Sequence, residues 1–90
     1  MLCTMENADQ FNRSLASVIR AARKALAISQ ETLASRAGVT RRFIQELENG
    51  RSDISLQTLF RLSQALEMNL TSIAAQVEKG FLDENNPPTT

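Results

Sequence analysis

The sequence predicts a single all-α domain, and three observations carry that expectation. Aliphatic residues recur at helical spacing, turn formers are few, and hydroxyl or glycine residues flank the apolar stripes. The 90-residue chain holds only three Gly and two Pro, too few for the many hairpins of a sandwich or barrel. Its hydrophobic fraction of 42% is ordinary for a packed protein. Aromatics contribute 4%, all four of them Phe, so the core is aliphatic.

The first helix is read over 9–26, after a flexible start at 1–8. Phe11, Leu15, Val18, Ile19, Ala22 and Leu26 fall within an arc of roughly 100° on a helical wheel. Arg13, Arg20 and Lys24 lie opposite as solvated charge, whereas Arg23 borders the apolar stripe. Ser29 offers an N-cap for a short second helix with Leu33, Ala34 and Ala37 inward. Gly38 closes it, since glycine takes the left-handed conformation at no steric cost. Thr40 caps a third helix running from Arg41 to about Asn49, followed by Gly50. Phe43, Ile44 and Leu47 cluster on one side of it, while Arg41, Arg42, Gln45 and Glu46 share roughly 140° of the other. One face packs and the other is open to a partner.

Ser55 caps a fourth helix, about 56–67, with Leu56, Leu59, Phe60, Leu62 and Leu66 expected to face inward. After a break at Met68-Asn69, a fifth helix over about 71–79 carries Ile73, Ala74 and Val77 and ends before Gly80. Beyond it, residues 81–90 have no apolar pattern and read as a disordered tail. Leu70, Ile73 and Val77 have too little remaining chain to cover them all, so they read as part core and part contact between copies.

Composition removes several kinds of chemistry. The lone Cys3 cannot build an internal disulfide framework or a zinc site, and its place near the terminus marks it as incidental. Without any His, Ser-His and Cys-His hydrolases and histidine metal sites are excluded. No carboxylate pair, nucleophile–base set or phosphate-cradling loop appears, so neither an enzyme nor a cofactor is expected. No run approaches the roughly 18 apolar residues of a membrane span, and the start lacks the basic flank of a signal peptide. The expectation is a cytoplasmic protein with no membrane partner.

Charge is more informative by region than in total. Ten basic and ten acidic residues give a net charge of zero, whereas nucleic-acid-binding domains often have a pI above about 9. Yet residues 13–61 hold nine cations against Glu31, Glu46, Glu48 and Asp53, and eight of the nine are Arg. Arginine is the side chain suited to phosphate and to bidentate base contacts. Two short helices joined at Gly38 match a helix-turn-helix unit, whose second helix enters the major groove.

The ordered motifs Ser29-Gln30, Leu33-Ala34, Ala37-Gly38-Val39, Ile44, Leu47-Glu48-Asn49-Gly50 and Leu56 to Leu66 resemble the Xre/Cro/phage-repressor family. The similar stretch runs from Ile19 to Ile73, and with the first helix covers about two-thirds of the chain. The resemblance implies a five-helix, lambda-repressor-like domain that binds double-stranded operator DNA, usually as a homodimer, like restriction–modification controllers of similar length. It implies base contacts from Arg41, Arg42, Gln45 and Glu46. It implies backbone contacts from Ser29, Gln30, Thr40, Asn49 and Arg51, and a buried ion pair between Arg23 and Glu48. Glu46 could accept from cytosine N4 or orient Arg42 across one turn. Phe43 could pack on the core or touch a thymine methyl, and the core is favoured. Asp53 departs from the basic loop of relatives. The alternative reading is an antitoxin that masks a protein toxin, with the same fold.

Overall fold

The computed structural model describes residues 5–51 and 53–85; Cys3 and residues 86–90 of the expected tail lie outside them. Five helices follow in order, α1 Met5–Ala25, α2 Gln30–Ala37, α3 Arg41–Glu48, α4 Leu56–Ala65 and α5 Leu70–Asn85, and no strand occurs among the described residues. Hydroxyl caps start three of them. Ser29, Thr40 and Ser55 have extended backbone, and their side-chain oxygens accept from the amides of Thr32, Phe43 and Thr58. Each bond satisfies one of the amide donors that a helix start leaves without an internal partner.

The helix ends share a second device. Beyond α2, Val39 N–H reaches Ala34 C=O and Gly38 N–H reaches Ser35 C=O. The same doubled pattern closes α3 through Arg51 and Gly50, α1 through Ile28 and Ala27, and α4 through Met68 and Glu67. This is a Schellman turn, which needs one left-handed residue. Gly38 and Gly50 supply it without strain at φ 74° and 76°, but Ala27 and Glu67 adopt φ 57° and 59° despite their Cβ atoms.

The core joins all five helices. Ile19, Leu33, Ile44, Leu62 and Ile73 are wholly buried, and Leu15, Ala34, Ala37, Leu47, Leu66 and Val77 nearly so. Phe43 packs against this cluster while staying partly exposed. Neighbours are α1 with α3 and α5, α2 with α3 and α4, and α4 with α5.

Four expectations need correction. The first helix starts at Met5, within the stretch read as flexible. In α4, Leu56 and Phe60 point outward, 71% and 48% exposed. The five apolar residues of α4 span roughly 160° of the wheel, wider than an ordinary core-facing stripe, and burial favours the side of Leu62 and Leu66.

In α5, Ile73 and Val77 are buried within the chain, so they hold the core and cannot form a contact between copies; Leu70 is half-buried. The helix also continues through Gly80 to Asn85, so 81–85 are helical rather than tail. Gly80 is there for close approach, since a Cβ on it would sit 2.6 Å from Ser14 Oγ. Ser14 Oγ donates to Val77 C=O at 2.8 Å, and Phe81 meets Phe11 edge to face with centroids 5.8 Å apart. These contacts offset the roughly 1 kcal/mol that glycine costs inside a helix.

No helix among the described residues is long and apolar enough to cross a membrane.

Candidate nucleic-acid interface

α3 divides sharply along its length. Ile44 and Leu47 are buried, whereas Arg41 and Arg42 are exposed and Gln45 and Glu46 partly so. Arg42 Nε lies 3.3 Å from Glu46 Oε2, one turn on. With Arg42 85% exposed, that ion pair adds little stability, but it restricts where the guanidinium points.

The far end of α3 is anchored by a polar cluster. Glu48 is buried, and Arg23 Nε donates to its Oε2 at 2.7 Å while Nη2 donates to Oε1 at 3.1 Å. Arg23 Nη1 also donates to Ile28 C=O at 2.9 Å, tying α1 to the turn before α2. Gln30 Nε2 donates to Glu48 Oε1 at 3.1 Å. Burial pushes the Glu48 carboxyl up, but hydrogen bonds from Arg23 and Gln30, with the charges of Arg23 and Arg20, hold it below the ordinary carboxylate range. The hydrogen bond to Glu48 raises the Arg23 guanidinium pKa further, against a smaller effect of burial. One glutamate thus joins α1, α2 and α3, fixing α3 relative to the start of α2.

The residues expected at the DNA backbone fall at the two ends of the α2–α3 unit and, for Thr40, in the turn between its helices. Ser29 and Thr40 are exposed caps, and Gln30 opens α2. Asn49 and Arg51 are exposed beyond α3, on either side of Gly50. The hydroxyl of Ser29 also donates to Thr32 Oγ1 at 3.0 Å. Sequence reasoning missed two members of this neighbourhood. Arg20 donates from Nη2 to Glu48 C=O, although its side of the wheel predicts a solvated charge; its position 60° from Arg23 on α1 is the available signal. The Gln30–Glu48 bond joins residues 18 positions apart, and no local pattern announces it.

This arrangement, with a short capped helix packed behind a second whose outer face is polar, coincides with a family match. The sequence model of the helix-turn-helix family matches residues 19–73. The chain belongs to that family, in its Xre/Cro-like branch. It is 39% identical over 62 residues to an uncharacterized transcriptional regulator in the ATPase CF(0) region of Rhodospirillum rubrum, covering 69% of this chain and 57% of that protein. It is 48% identical over 50 residues to an uncharacterized HTH-type transcriptional regulator of Methanothermobacter thermautotrophicus, covering 56% of this chain and 72% of the relative. Among solved structures, the restriction–modification controller protein C.AhdI of Aeromonas hydrophila superposes with a TM-score of 0.67 at 29% identity, over 69% of this chain and 94% of its own. The chain therefore spans little more than half the length of the Rhodospirillum relative. The lambda-repressor-like fold is that of these regulators.

Proposed function

We propose that this chain is a sequence-specific regulator of transcription that reads double-stranded operator DNA with α3 in the major groove. The observation that carries the reading is the division of α3, whose inner side is locked in the core while its outer side offers two arginines, a glutamine and a glutamate. Arg41 and Arg42 contact guanine O6 and N7, and Gln45 pairs with adenine. Glu46, already 3.3 Å from Arg42, orients that arginine rather than reading cytosine. Ser29, Gln30, Thr40, Asn49 and Arg51 hold phosphates; one hydrogen of the Gln30 amide serves Glu48 and the other is available to DNA.

The working unit is a homodimer on a near-palindromic operator, acting in the cytoplasm, most simply as a repressor or restriction–modification controller. Its contact face is the apolar groove of about 450 Å³ between α1, α4 and α5, lined by Phe11, Leu56, Leu59 and Ala74. A second copy is the occupant that fits. Phe60 continues the Leu56 strip one turn on, both are largely exposed, and a two-fold contact matches such a strip with itself. Two-fold symmetry then sets the recognition helices one DNA turn, about 34 Å, apart.

Footprinting on the DNA upstream of its own gene, with excess competitor at two salt concentrations, tests the reading. The expected result is a protected near-palindrome that survives competitor. Weak binding that disappears with salt on every sequence reflects phosphate attraction alone and overturns it.

A further inference from the structure

We propose that the cleft between α1 and the end of α3 is a phosphate site that grips the DNA backbone at the wall of the major groove, with Arg20 and Arg13 as its cations. The inference rests on the DNA reading above, but it adds α1 to the interface. The cleft measures about 280 Å³ and is lined by Arg13, Ala16, Arg20, Glu48, Asn49 and Gly50. Arg13 and Arg20 stand two turns apart on one face of α1, and the small, buried Ala16 lines the cleft between them. Arg20 is half-buried and pinned through Nη2 to Glu48 C=O. A guanidinium carries five N–H donors, so the bond to Glu48 C=O holds the group at the cleft and leaves donors for a phosphate. Arg13 packs over Gly50, where a Cβ would lie 3.5 Å from Arg13 Cγ.

Two features oppose an anion here, and the structure answers both. The carboxylate in the lining, Glu48, is already held by Arg23 and Gln30. The carbonyl end of a helix repels anions. In α3, however, the carbonyls of Gln45, Glu46 and Leu47 accept from the amides of Asn49, Gly50 and Arg51, and that of Glu48 accepts from Arg20.

Reach supports the position. The eight residues of α3 rise about 12 Å, close to the roughly 12 Å width of the major groove. A helix whose first turn meets base edges therefore brings Asn49 and the cleft beside it to a phosphate strand.

The test measures binding of the full chain to its operator and to an unrelated duplex across a salt series, for wild type, Arg20→Gln, Arg20→Lys and Arg13→Gln, with melting temperatures in parallel. Each Gln variant should lower the slope of log affinity against log salt by about 0.9, equally on both duplexes. Arg20→Lys should keep the slope, because it keeps the charge. An unchanged slope in Arg20→Gln overturns the cleft assignment while the DNA reading stands. A wild-type chain that binds neither duplex overturns both. A weaker operator affinity with an unchanged slope and a lowered melting temperature makes Arg20 purely structural and likewise overturns the proposal.

Discussion

α3 and α4 are built alike and turned to opposite uses. Both are short, both open on a hydroxyl cap, and both bury aliphatic side chains on the inner side. Their outer faces differ in kind, with Arg41, Arg42 and Glu46 on one and Leu56 and Phe60 on the other. A charged, hydrogen-bonding face suits phosphates and base edges, whereas an exposed apolar strip suits another protein surface. The difference shows that helices with the same inner pattern can present outer faces of opposite chemistry. Substitutions on the two outer faces should therefore produce separable defects.

The largest expected effect lies in the anchor that holds α3 in place. Glu48→Ala leaves the Arg23 guanidinium without its carboxylate and should cost about 3–5 kcal/mol, read as the shift in a urea unfolding curve. An unchanged midpoint would show that α3 is held by its apolar side alone. The same carboxyl gives a pH signature. Its folded pKa is lowered, so its contribution is complete above the unfolded value of about 4.3 and fades as pH falls through the folded pKa. Glu48→Gln should flatten that part of the acid stability profile, and acid denaturation as steep as wild type would assign it to other carboxylates.

Smaller effects sharpen the contrast between the outer faces. Arg42→Ala should cost about 1–3 kcal/mol at one operator position and relax specificity there, with sedimentation unchanged; equal loss on all sequences would make Arg42 a phosphate contact. Leu56→Lys should give a monomer by sedimentation, while the melting of the isolated chain shifts by no more than about 0.5 kcal/mol, as for a surface change. A dimer that persists would move the contact away from α4. The smallest effect is a gain. Ala27→Gly removes the left-handed strain of the α1 turn and should add about 0.5–1 kcal/mol, seen as a higher melting temperature.

Much of this fold was legible in the residues, because caps and periodicity are local. Ser29, Thr40 and Ser55 mark their helix starts, and Gly38 and Gly50 mark two ends. The turns at Ala27 and Glu67 have the same hydrogen bonds without the glycine, so composition gives no sign of their geometry. The outward turn of Leu56 and Phe60 was hidden for another reason. A leucine-rich stripe looks the same whether it meets the core or a second chain, and only the placement of α2 and α5 distinguishes them. Gly80 misled in the opposite direction, since the need for contact with Ser14 outweighs its poor helix propensity. At the interface, Arg41 and Arg42 follow from their place at the start of α3. Gln30 and Arg20 reach Glu48 across 18 and 28 positions, distances at which a single sequence carries no pairing signal.

The bond from Ser14 to Val77 closes over 63 positions, and it joins the first helix to the last. During synthesis at about 5–20 residues per second, Ser14 leaves the ribosome some 3–13 s before Val77 does. Throughout that interval Leu15 lacks the cover that α5 later gives it, while α2 and α3 can already pair through contacts close in sequence. Completion of the core is thus tied to the synthesis of α5. A nascent chain cut short within α5 would carry the whole of α3 and still lack the brace that keeps α1 in place.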